Sequence, residues 1–107
     1  MALPPLTPDD RARALERAME ARQERSALLH ALKRGHTTLA EVLERTDSVA
    51  GRIPVRRLLA SLPGIGKIGA ARILEESGIS PTRRVQGLGP HQRTDLLTRT
   101  APPADRP

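Results

Sequence analysis

The six residues Leu62-Pro63-Gly64-Ile65-Gly66-Lys67 constrain the fold of this chain more than any other stretch. They separate an apolar run ending in Leu58, Leu59 and Leu62 from a second one containing Ala70, Ile73 and Leu74. This spacing predicts a hairpin between two helices. Pro63 ends the first helix because it lacks a backbone donor and keeps its predecessor out of the α region, while Gly64 and Gly66 tolerate dihedrals that a side chain forbids. With no Cβ at either glycine, the amides of the turn and of the following helix start can approach an anion. The positive end of the helix dipole points the same way. Lys67 adds a mobile charge, and a backbone phosphate of a nucleic acid would fit the arrangement. A Pro-Gly pair that merely turns the chain inside a helical bundle is an equally good reading of the turn alone.

The flanking segments read as further helices. Thr7-Pro8-Asp9-Asp10 is a helix start, with a hydroxyl cap, proline at the first helical position and two carboxylates near the positive dipole end. Nothing breaks that helix until Gly35, so Pro8 to Arg34 is expected to form a rod. Ala12, Leu15 and Met19 share one face, the middle is polar, and Leu28, Leu29 and Leu32 make the strong apolar patch. The C-terminal half should therefore dock while the N-terminal half projects or lies loosely. Thr38 and Glu41 have capping-box spacing for a short helix to about Arg45, with Leu39, Val42 and Leu43 inward. Asp47 to Gly51 reads as a loop. Val55 to Ser61 reads as a helix with Arg56 and Arg57 outward, and after the hairpin a helix from about Lys67 to Glu76 ends at Gly78 in a Schellman-type cap closed by Ile79. Gly69 inside it should cost about 1 kcal/mol relative to alanine. Arg83-Arg84-Val85-Gln86-Gly87-Leu88-Gly89 then gives a second Gly-x-Gly turn before a helix from Pro90 to Leu97. The expected division is an N-terminal extended segment and long helix over 1–34, a helical core over 35–97 and a disordered tail over 98–107. The fold class is all-α: a long N-terminal helix packed on a small helix-two-turn-helix, helix-hairpin-helix-like domain.

Charge and composition narrow the function. The net charge is +6, sixteen of the eighteen basic residues are arginine, and there is no Phe, Trp or Tyr among the 107 residues. A basic surface suggests a polyanionic partner. The missing aromatics argue against modules that stack single-stranded bases and against base-flipping pockets. Without cysteine there is no disulfide or thiolate site, and His30, His36 and His91 lack ligand spacing, so neither a metal nor another cofactor is expected. Seven basic and five acidic residues within 1–34 nearly balance; from Pro63 to Arg93 five basic residues face two acidic ones, so the positive balance gathers at the glycine turns. No signal peptide or membrane span is expected, which makes the cytoplasm the default location, and the uneven stripe of the first helix favours a monomer over a coiled coil.

The run Leu62 to Lys67 with Ala70-Ala71-Arg72-Ile73-Leu74, then Arg83-Arg84-Val85 with Gly87-Leu88-Gly89, and the opening Leu3-Pro4-Pro5-Leu6-Thr7-Pro8, resembles the actinobacterial integration host factor family. The match extends to about Leu97. It implies a helix-two-turn-helix core in a nucleoid-associated, non-enzymatic protein that binds double-stranded DNA with little sequence preference, affects topology and compaction, and assists phage integration. Topoisomerase or phage integrase machinery would be its protein partners. Carried over by residue, Pro63, Gly64, Ile65, Gly66 and Lys67 would meet one stretch of phosphate backbone. Arg83 and Arg84 would make a second contact, with Gln86, Gly87, Gly89 and Arg93 beside them. Family members usually carry a basic residue where Gln86 stands and often one near Gly69, so contact at those points should be weaker or less salt-sensitive here. Structured-RNA binding is the alternative, because helix-two-turn-helix cores also hold folded RNA. A repair glycosylase or lyase is a third reading, with Lys33 and Lys67 as its two possible lysine nucleophiles, and a helical interaction module using Leu28, Leu29 and Leu32 a fourth.

Overall fold

The computed structural model describes residues 7–101. Its elements are α1 (Pro8–Lys33), α2 (Leu39–Glu44), α3 (Ser48–Gly51), α4 (Val55–Ala60), α5 (Gly66–Ser77), a 3-10 turn at Val85–Gly87, and α6 (Pro90–Thr100). There is no strand among the described residues beyond one isolated antiparallel bridge between Pro54 and Arg84. The chain is all-α.

Local chemistry sets most of the boundaries. Thr7 caps α1: its hydroxyl accepts from the Asp10 amide at 3.1 Å, and the Asp10 carboxylate accepts from the Thr7 amide at 3.2 Å. Gly35 (φ 75°) ends the helix, with the Gly35 amide donating to Leu32 and the His36 amide to Ala31. The same six-to-one and five-to-two pattern closes α5, where the Ile79 amide donates to Leu74 at 2.9 Å and the Gly78 amide to Glu75 at 3.2 Å. Ile79 is buried there, as the expected Schellman end requires. Thr38 caps α2 by accepting from the Glu41 amide.

Two expectations are corrected. Asp47–Gly51 is not a loop: the Asp47 carboxylate accepts from the Ala50 amide at 3.2 Å and starts α3, and Ala50 and Gly51 are buried. The disordered tail expected from Thr98 does not start there, because Thr98, Arg99 and Thr100 continue α6. Thr98 and Thr100 donate their hydroxyls back to Thr94 and Leu96, and Arg99 pairs with Asp95 and with Glu76 of α5. Residues 102–107, where the rest of that expected tail falls, lie outside the described residues, as does Leu3 to Leu6.

The core is aliphatic, built from Leu29 and Leu32 of α1, Leu39, Val42 and Leu43 of α2, Ile53, Val55, Leu58, Leu59, Ala70, Leu74, Val85 and Leu96, with no buried polar residue among those described. Leu29 and Leu32 join this core and Leu28 packs against it, so the leucine patch of α1 serves the fold. The α1 rod of 26 residues is about 39 Å long. Its N-terminal half touches little, since Leu15 and Met19 remain 60% and 49% exposed.

Candidate nucleic-acid interface

The hairpin between α4 and α5 is a bare, outward-facing turn. The Leu62 amide donates to Leu59 and the Ile65 amide to Leu62, which folds the chain back on itself. Gly64 and Gly66 hold φ of 80° and 66°, and an added Cβ would meet nothing within 4 Å at either. Glycine is therefore required by the backbone dihedral, and the space in front of it is open. Among the described residues, none accepts a hydrogen bond from the amides of Gly64, Gly66, Lys67 or Ile68. Pro63 has no amide to offer. Four unpartnered donors thus stand at or just before the start of a twelve-residue helix, with exposed Lys67 among them. Lys33, in the last turn of α1, lines a shallow hollow of about 410 Å³ together with Ser61, Pro63, Gly64 and Gly66 of the turn. No sequence signal links Lys33 to the hairpin, because the docking of α1 brings it there.

The second glycine turn is built differently. The Val55 amide donates to Arg83 at 2.8 Å and the Val85 amide to Ile53 at 3.0 Å, so this segment is clipped to the start of α4. The Gly87 amide donates to Arg84, the Leu88 amide to Val85, and the Gly89 amide to Gln92 Oε1 at 2.9 Å. All three amides are engaged, and neither glycine has a positive φ. Gly87 serves packing instead: a Cβ there would stand 3.1 Å from Arg83 Cδ, and Arg83 lies across it, donating to its carbonyl at 3.0 Å. The two Gly-x-Gly turns therefore share their spacing but not their backbone geometry. Arg84 is exposed and free of ion pairs among the described residues. Gln86 lies over Gly51 of α3, where a Cβ would come within 3.1 Å of its Oε1.

Arg93, expected beside the second contact, is engaged within the fold. It is half-buried and donates to the carbonyls of Leu43, Val85 (3.1 Å) and Leu88 (3.2 Å), tying α2 and the 3-10 turn to α6. Its guanidinium is a structural tie with its donors turned inward.

Other cations take its place on the surface. Arg52, Arg56, Arg57 and Arg72 are exposed, and no carboxylate pairs with them among the described residues. Arg56 and Arg57 stand on α4, which runs between the clip and the hairpin. The inward spacing of Val55, Leu58 and Leu59 already places them outward, and their position on the helix that enters the hairpin was the signal for including them. Arg45, by contrast, forks onto Asp47 at 2.8 and 2.9 Å. That hydrogen bond holds the Asp47 carboxyl down at about 2, and the Ala50 amide helps.

Among the described residues no group of side chains could hold a metal ion, and no helix is long and apolar enough to cross a membrane. Lys67 stands on the open surface.

Residues 32–100 match the S13-like H2TH domain family. The integration host factor of Streptomyces coelicolor is 49% identical over 98 residues, spanning 90% of this chain and 92% of that one. The integration host factor of Mycobacterium tuberculosis is 50% identical over 99 residues, 91% of this chain and 94% of that protein. A solved structure of sIHF bound to an 8-base-pair palindromic DNA superimposes with a TM-score of 0.77 at 42% identity, covering 78% of this chain and 97% of that one. On this match in length, sequence and fold, the chain belongs to the actinobacterial integration host factor family.

Proposed function

We propose that this protein binds duplex DNA through its phosphate backbone, with little sequence preference, and acts as an architectural component of the nucleoid. The observation that carries the reading is the hairpin: four amides without partners, opened by two positive-φ glycines and flanked by Lys33 and Lys67. A relative of similar fold is bound to DNA, which supports the class of partner. In the proposed mechanism the hairpin amides hold a phosphate, and Arg84 and Arg83 hold another at the far end of α4. Arg56 and Arg57 add charge between them. Such contacts release counterions and fix orientation without reading bases. The rigid core then imposes curvature on the duplex, and effects on topology, compaction and phage integration, through topoisomerase or integrase machinery, follow from that curvature. The protein works as a monomer in the cytoplasm, without catalysis.

Binding to unrelated duplexes across a salt titration tests this. With about four phosphates neutralised, log K falls against log salt with a slope on the order of −3 to −4. The Arg83→Ala, Arg84→Ala double variant should bind every duplex more weakly, with a slope shallower by about 1 to 2. A loss confined to one sequence would refute phosphate contact. An RNA hairpin in the same titration tests the alternative partner.

A further inference from the structure

Ile68 is 80% exposed, well above the other large apolar side chains on this surface. It is not a core residue left uncovered. On α5 the core face carries Ala70, Leu74 and the half-buried Ile73, and a rotation of 100° per residue puts Ile68 on the opposite side, with Arg72 one turn behind it. Its own amide is one of the four free donors, and exposed Lys67 precedes it. An isoleucine thus stands between two unpaired cations beside the bare turn. Side chains on a helix lean toward its N-terminus, so Ile68 leans over whatever the hairpin amides hold. A phosphate ester held there offers polar oxygens to the amides, and the apolar part of the same ligand is the sugar carbon skeleton on either side of the phosphorus.

We infer that Ile68 packs against the deoxyribose carbons flanking the phosphate held by the hairpin, and so favours a DNA backbone over an RNA one. The inference rests on the duplex-binding reading and adds sugar selectivity to it. Burying the isoleucine strengthens binding without releasing a counterion, so its contribution is independent of salt. A ribose would place a 2′-hydroxyl against the isoleucine, which displaces its water and offers no hydrogen bond in return.

The test compares the intact chain with Ile68→Ala and Ile68→Asn on a DNA duplex and an RNA duplex of the same sequence, each across a salt series. Because the side chain is exposed, both variants should melt with the parent protein. Ile68→Ala should weaken DNA binding about tenfold at every salt concentration with the slope unchanged. The loss on RNA should be smaller, and Ile68→Asn should move the preference furthest toward RNA. Unchanged DNA affinity in a parent with a steep salt slope would overturn this inference alone, as would equal losses on both duplexes or an altered slope. A flat salt dependence in the parent would remove the phosphate reading, and the sugar contact with it.

Discussion

Replacing Arg93 with alanine separates a structural tie from a DNA contact. Three guanidinium hydrogen bonds reach the carbonyls of Leu43, Val85 and Leu88. Hydrogen bonds from a charged donor are worth roughly 1.5–3 kcal/mol each, but they are not additive, and water can replace some of them at a half-buried site. A net loss of about 3 kcal/mol follows, which for a domain of this size lowers the melting temperature by roughly 12–24 °C. Arg93→Lys should recover little of it, since an ammonium cannot present a planar fork to three separate carbonyls. Thermal melting followed by circular dichroism gives the stability, and a salt titration at a temperature where the variant remains folded gives the DNA contact. The expected result is a large fall in melting temperature with the salt slope unchanged. A melting temperature within about 2 °C of the parent, together with a slope shallower by about 1, would refute the tie and restore Arg93 to the interface.

Gly64→Ala has room for its methyl group but must hold a φ of 80°, so it should cost about 1–2 kcal/mol in stability, read by denaturant unfolding. Gly69→Ala in the same region should be close to neutral, because the helix-propensity gain of about 1 kcal/mol meets a Cβ contact of 3.0 Å with Ile65 Cγ2. Asp47→Asn should destabilise the protein at neutral pH. The folded-state value of about 2 lies below the ordinary 3.8, so the stabilisation from Asp47 is fully present above about pH 4 and disappears as pH falls through 2. The melting curves of parent and variant should therefore converge over that range. Thr7→Ala removes the cap of α1 at its projecting end, and should speed amide exchange in the first turns while leaving the global melting temperature unchanged.

Features set by a few adjacent residues were legible in the sequence. The caps at Thr7 and Thr38, the glycine stops at Gly35 and Gly78, the inward faces of α2 and α4 and the hairpin at Gly64 and Gly66 all follow from local dihedral and hydrogen-bonding preferences. Where a residue answers to a distant partner, the local reading fails. Helix α3 is four residues long, too short to display a period, and is recognisable through the Asp47 cap alone. Gly87 and Gly89 share the spacing of the first turn. Spacing cannot distinguish a glycine needed for its φ from one needed because Arg83 lies across it. The structural tie made by Arg93 was not legible, because its Leu43 carbonyl partner lies 50 residues away in the chain.

The placement of α4 connects stability with the proposed contact. A helix of six residues is far too short to persist alone, so its position depends on what holds its ends. At its start the Val55 and Val85 amides clip it to the Arg83–Arg84 segment, and at its end the bare turn reverses into α5. Between them Val55, Leu58 and Leu59 are fully buried, which fixes its rotation and leaves Arg56 and Arg57 outward. The clip and the hairpin are therefore held about 9 Å apart along the helix axis, a length a loop could not keep constant. Counterion release would follow from loose arginines as well, but curvature requires that two grips on one backbone keep a fixed separation. On this argument the aliphatic core beneath α4 supports the architectural role directly: loosening Leu58 or Leu59 should reduce DNA bending before it reduces the number of phosphates held.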